Sequence, residues 1–280
     1  MSRSESEKKD ETIVLSQGDI APLSTKYRPW FSSFVTATAL TAVNSAQRQF
    51  FGNLRLALNT NEAWSEMIKR FATNPKTLLS GWPHRFTLQL LTQGLPIATN
   101  LAYASDEQKP KISSSLTALW MTTAGCVFEV SGLAQPIKDK ASSLGLSVDY
   151  MRRSPAVAMC IIPIMFARNN AYTKLVFGLS DDDMARKLMI ATIGAVLTNP
   201  IDVAVNVGAW EAAKAKDGTP LTEIYRATWN HFIKTEEGIS PYQKFTQIAS
   251  KAFSGTPLRI AGVAGAALIF SKPSQKKLQM

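Results

Sequence analysis

Three observations predict an all-α membrane protein with six transmembrane helices in three tandem two-helix repeats. First, one spacing recurs: a basic residue, a mid-segment residue eight positions on, Pro or Gly three further, and Ser or Tyr nine after that. The copies are Arg85, Gln93, Pro96, Ser105; Arg152, Cys160, Pro163, Tyr172; and Lys251, Arg259, Gly262, Ser271. Second, each copy lies in or beside an apolar stretch and follows another that ends in Asn44-Ser45, Gln135-Pro136 or Asn199-Pro200. Third, short turns alternate with long basic connections. A repeat constrains a fold more than a single motif does, because each copy must build the same unit.

Spans are expected near residues 31–52, 86–104, 112–135, 156–177, 186–207 and 253–270. A bilayer core asks for about 20 mostly apolar residues per helix, and 86–104 supplies 19 without a charge. The third span holds Glu129 as its only charge. The sixth is the shortest, with 11 uncharged residues from 260 to 270, and must extend back past Arg259 to cross. The domain reading is a polar tail at 1–29, repeats at 30–110, 111–178 and 179–272, and a short tail at 273–280. The middle repeat is compressed: Pro136 to Pro163 is 27 residues, against 51 from Ser45 to Pro96 and 62 from Pro200 to Gly262. It is expected to lack a surface helix.

Composition fits a bundle around a polar interior. The chain has 280 residues, is 45% hydrophobic, and has a mean hydropathy of -0.03. That is low for a bundle made only for lipid, and acceptable where polar groups face water or protein inside it. The net charge of +10 is spread along the chain rather than gathered in one arm, which favours lipid headgroups and anionic solutes over nucleic acid. Cys126 and Cys160 both lie in apolar segments and read as small buried hydrophobes. The polar, mixed-charge start has no apolar signal core and is too acidic for a transit peptide, so targeting is expected to be internal. Basic residues crowd the long connections, while a short turn carries Asp181-Asp182-Asp183. The positive-inside bias therefore places the long connections inward.

Individual residues add chemistry. Pro136 and Pro200 are expected to kink their helices, since proline removes a backbone donor and crowds the preceding turn. Glu129 is a carboxylate inside a span, a costly placement that marks a cavity, an ion pair or a proton path. It sits seven residues before Pro136, on the same helix face. No phosphate-binding loop, dinucleotide fingerprint, zinc spacing or nucleophile elbow is present. Neither catalysis nor a cofactor or metal is expected.

From about residue 30 to 275 the chain resembles the mitochondrial carrier family. The resemblance rests on the threefold register, on Asn199-Pro200-Ile201-Asp202 as the first half of the family's Pro-x-acid-x-x-base signature, and on 224–239, which ends in Thr-Glu-Glu-Gly-Ile. It implies substrate contacts at Gln93, at Cys160 with Ile161, and at Arg259, with Glu129 as a further substrate-binding candidate. A cationic fork beside a small apolar wall is similar to nucleotide-type carriers. The resemblance places the inner gate at Gln47 and Phe50, Lys138 and Ala141, and Asp202 and Val205, so only Lys138 and Asp202 can pair, across repeats. The outer gate falls at Asp106 with Lys109, and at Lys272.

Two functions stay open. One is a monomeric carrier of the mitochondrial inner membrane that exchanges a small anionic metabolite, nucleotides included, with membrane lipids such as cardiolipin as partners and no nucleic acid. The other is a transport-inactive carrier-fold adaptor or insertase, in the outer membrane or of pathogen origin and aimed at host mitochondria. The eroded gates favour the second, and Arg259 with Glu129 the first.

Overall fold

A computed structural model describes residues 23–95, 98, 114–176 and 184–269, and the fold is all-helical. The helices are α1 (Leu23–Asn59), α2 (Trp64–Thr73), α3 (Trp82–Gln89), α4 (Ser114–Ser143), α5 (Tyr150–Val176), α6 (Met184–Leu197), α7 (Asn199–Lys214), α8 (Leu221–Ile233), α9 (Pro241–Ala252) and α10 (Thr256–Ile269). A 3-10 turn at Pro75–Leu79 leads into α3, and a π turn at Leu90–Gly94 continues it. Packing follows chain order: α1 on α3, α3 on α4, α4 on α5, α5 on α6 and α7, α6 on α10, and α10 back on α1. The helices thus close a ring.

The ring is polar within and apolar without. Along α1 the buried residues include Thr41, Asn44, Ser45, Gln49 and Asn53, while Phe31, Val35 and Val43 face outward. Apart from the adjacent pair Asn44 and Ser45, these buried positions step by three or four, the spacing of one helix face. The outer surface continues through Met159 and Phe166 of α5, Met189, Ile193 and Leu197 of α6, and Leu268 of α10. Scattered exposed apolar residues are ordinary; a polar stripe turned inward beneath them is the informative feature.

That stripe explains the hydropathy. No single described helix is long and apolar enough to cross a membrane, and only the bent pair Leu188–Leu197 with Asn199–Lys214 passes by length and composition. The pair bends by 51° at Thr198, and Pro200 stands in the first turn of α7, where its missing N–H costs no helical bond. Pro136 lies inside α4, which runs on through it to Ser143.

One side of the ring is packed differently. A core of Leu133, Ile137, Val157, Cys160, Ile161, Val205 and Ala209 joins α4, α5 and α7, and Ile224 of α8 docks against it. A small cluster of Ala57, Met67 and Phe71 holds α2 under the end of α1. Between α4 and α5 there is no surface helix: 144–149 connects them directly, and the Tyr150 hydroxyl donates to the Val130 carbonyl at 2.5 Å. The third connection instead carries two helices, α8 and α9. Ser240 and Gln243 close the start of α9 with a reciprocal capping box.

Gly81, which opens α3, has φ +81 and approaches α4 so closely that a Cβ would lie 2.3 Å from the Gly132 carbonyl oxygen. Gly218 has the similar φ of +79 with nothing within 4 Å of its Cβ position. Gly218→Ala is therefore expected to cost about 1–2 kcal/mol from left-handed strain alone. Gly81→Ala adds displacement of a backbone carbonyl and is expected to lower the thermal midpoint clearly more. Equal midpoints for the two variants would contradict this close approach.

Candidate functional site

The ring encloses a cavity of about 200 Å³ lined by five arginines, Arg48, Arg55, Arg85, Arg168 and Arg259, against two carboxylates, Glu129 and Asp202. Three of the arginines converge on one group. Arg168 Nη1 donates to Asp202 Oδ1 at 2.6 Å, Arg55 Nη2 pairs with Asp202 Oδ2, and Arg259 Nη1 stands 3.9 Å from Oδ2. Asp202 thus ties α7 to α1, α5 and α10. Its position follows from the break at Thr198, which turns the first turn of α7 into the ring, where the helix dipole favours a carboxylate.

Arg259 also holds the break itself. Its Nη1 donates to the Thr198 carbonyl at 2.8 Å and its Nη2 to the Thr198 hydroxyl at 2.5 Å. Asn199 reaches across from the same break, its Nδ2 donating to the carbonyls of Ala252 at 3.1 Å and Ser254 at 3.2 Å. On the opposite wall Arg85 donates to Glu129 Oε1 at 2.7 Å and to Gln49 Oε1 at 2.6 Å. Asn53 Nδ2 donates to the Thr77, Leu78 and Ser80 carbonyls. The guanidinium forks are thereby oriented by helices of all three expected repeats.

A second polar layer lies toward the long connections. Glu62 accepts both arms of Arg70 at 2.9 Å and stands 3.6 Å from Lys140 Nζ. The Lys140 ammonium lies 5.3 Å from the centre of the Trp210 ring, and Lys214 lies 5.9 Å from the same ring. Burial pushes the Lys140 ammonium below its ordinary value, with Glu62 opposing that shift. Asp139 accepts from Ser80 Oγ at 2.5 Å and from Gln135 Nε2 at 2.8 Å.

Several sequence expectations land elsewhere. Arg259, Glu129 and Asp202 line the cavity. Cys160 and Ile161 do not; both are fully buried in the core, because this turn of α5 faces α7, where a Cβ on Gly208 would lie 3.1 Å from Cys160 Sγ. The cavity residue of α5 is Arg168, two turns further on. Lys138 is exposed and is not among the partners of Asp202, which are Arg55, Arg168 and Arg259. The buried cation on this part of α4 is Lys140, two positions on. Gln93 falls in the π turn, and its side chain lies outside the described residues, as do Asp106, Lys109 and Lys272.

A pattern overlooked in the sequence marks two of the arginines. Gly81-Trp82-Pro83-His84-Arg85 and Gly255-Thr256-Pro257-Leu258-Arg259 share Gly-x-Pro-x-Arg. Both glycines have positive φ, +81 and +70, and both precede a helix start. Arg85 therefore corresponds to Arg259 rather than to Lys251, and both point into the cavity. Compared with known proteins, the chain matches no family model, no curated protein and no solved structure.

The inner layer makes a direct test. A double-mutant cycle on Glu62 and Lys140 is expected to show coupling above about 1 kcal/mol in thermal or chemical unfolding, since both side chains are almost fully buried. The same cycle on Lys138 and Asp202 is expected to be additive. Coupling in the second pair and none in the first would reverse the assignment.

Proposed function

We propose that the chain spans a membrane as six helical segments in three two-helix repeats, α1 with α3, α4 with α5, and α6–α7 with α10. It moves a small anionic metabolite by alternating access around the arginine cavity. The observation that carries this reading is the inverted polarity of the ring: arginines and amides inside, Phe31, Val43, Met159, Met189 and Leu197 outside. A ring of that kind suits an apolar solvent outside and a hydrated anion within.

The charge imbalance sets the ligand's sign. Five arginines and two carboxylates among the lining residues give the cavity wall a net positive charge. Planar guanidinium forks bind carboxylate and phosphate oxygens in pairs, so di- and tricarboxylates and nucleotide phosphates are the classes to test first. At about 200 Å³ the cavity is smaller than the ~300–1,000 Å³ of most small-molecule sites. It admits a compact anionic group as it stands, and a whole nucleotide requires the ring to open. The carrier resemblance supports the mitochondrial inner membrane as the location.

A second reading, a transport-inactive adaptor or insertase built on the same fold, has one observation in its favour. Asp202 already engages three of the arginines that a substrate would use.

Uptake by purified protein in liposomes, against a panel of carboxylates and nucleotides, tests the two. Arg259→Lys keeps a cation beside Asp202 but loses the fork on Thr198, and is expected to cut uptake at least about tenfold through a weaker apparent affinity. Arg259→Ala is expected to abolish uptake, with the thermal midpoint of both variants measured alongside. If the wild-type protein moves no anion under any gradient, the transport reading fails and the adaptor reading replaces it.

A further inference from the structure

A second recess, of about 370 Å³, opens among the long connections, away from the central cavity. Four elements form it: Asn61 just after α1, Glu211 of α7, Asn230 and His231 of α8 with Lys234 at its end, and Lys251 of α9. We propose that this recess is an anion site that takes a phosphate group, either free or carried on a lipid headgroup.

The charge count points to an anion. Lys234 and Lys251 line the recess, and Lys214 stands one helical turn away on α7. The only lining carboxylate, Glu211, is already paired with Lys214 at 2.8 Å. The neighbouring acid between α1 and α2, Glu62, is turned to Arg70 and Lys140. Two lysines and an imidazole therefore face the recess with no carboxylate of their own among the described residues. The Lys251 ammonium donates to the Lys234 carbonyl at 2.5 Å, which holds the C-terminal end of α8 against α9 and fixes one cation at the rim. The Asn61 and Asn230 amides add neutral donors, the complement a phosphate oxygen needs beside charged ones.

His231 reports on the site. Burial, then Lys251 and Lys214, hold its imidazole below the ordinary histidine value, so without ligand it is neutral at neutral pH. An anion in the recess offsets the lysines and favours the imidazolium, which raises the midpoint and couples binding to proton uptake. Binding is then tighter at low pH, in a window that runs from the depressed free-state midpoint up to the raised bound-state midpoint, and weaker above it.

The chain has two histidines, His84 and His231, so the His84→Gln variant leaves one imidazole to follow by NMR. The full-length protein is titrated in phosphatidylcholine nanodiscs with sulfate, which does not itself titrate in this range, and then with inorganic phosphate. Chloride at equal ionic strength is the control. A third sample replaces part of the phosphatidylcholine with phosphatidylglycerol. The His231 midpoint is expected to rise by about one unit on saturation, making sulfate bind more tightly at low pH than near pH 8, with about tenfold as the limit well below the free-state midpoint. A rise with the free anions assigns the site to a soluble phosphate, and a rise with phosphatidylglycerol alone assigns it to a headgroup. Lys234→Gln, which keeps the backbone carbonyl that Lys251 uses, and Lys251→Gln are each expected to remove most of the rise. No rise in any sample overturns the proposal, as does a rise that both glutamine variants leave intact. The readout does not depend on transport, so it fails or succeeds separately from the carrier reading.

Discussion

The ring depends on one carboxylate. Arg55, Arg168 and Arg259 come from α1, α5 and α10, and each is drawn to Asp202. Gathered in one buried place without it, three guanidinium groups repel one another, which is far more costly than a buried pair. The break at Thr198 is what brings Asp202 there, and Arg259 donates to the Thr198 carbonyl, which also accepts the Asp202 N–H at 3.2 Å. Backbone geometry and charge therefore support each other: the bend positions the acid, and one of the bases that the acid attracts stabilises the bend.

The layer below is built on different chemistry. Glu62, Arg70 and Lys140 form a compact triad, with Trp210 offering its ring face to Lys140 and to Lys214. Removing a partner from so buried a group leaves a desolvated charge, whereas Lys214, more exposed, contributes little. The two layers share α7, which carries Asp202 near its start and Trp210 two turns later. A rigid movement of that helix disturbs both at once. The two layers are thus joined through a single element.

How much of this was legible in the sequence differs from residue to residue. Arg259, Glu129 and Asp202 stood out because a charge within an apolar stretch is conspicuous, and Pro200 because proline punctuates helices. The cavity face of α5 was not legible. Periodicity sets which residues share a face, but α5 is apolar enough around Cys160 and Ile161 that nothing in the pattern says which face meets α7. Arg168 was the available signal, as a lone cation deep in that helix. Lys138 and Lys140 lie on different sides of α4 though two residues apart, as a rotation of about 200° requires. The Gly-x-Pro-x-Arg pair was in plain view and was obscured by a register that matched Arg85 with Lys251.

On the proposed membrane reading, hydropathy alone fails on this chain for a physical reason. A helix that lines a polar interior spends part of each turn on Asn, Gln and Arg, and averaging around the helix cancels the apolar outer face. α1 is the clearest case: Thr41, Asn44, Ser45, Gln49 and Asn53 are buried, while Val35 and Val43 are half exposed or more. In water this arrangement is unfavourable twice over, since it hides groups that water would solvate and exposes groups that water excludes. In a bilayer both terms reverse at the outer surface, and some interior amides partner one another, as Asn44 Nδ2 does with Gln89 and Gln49 Nε2 with Asn53. On the proposed reading, the same inversion that suits the ring to lipid sets five arginines against two carboxylates around the cavity, which favours a negatively charged ligand at its centre.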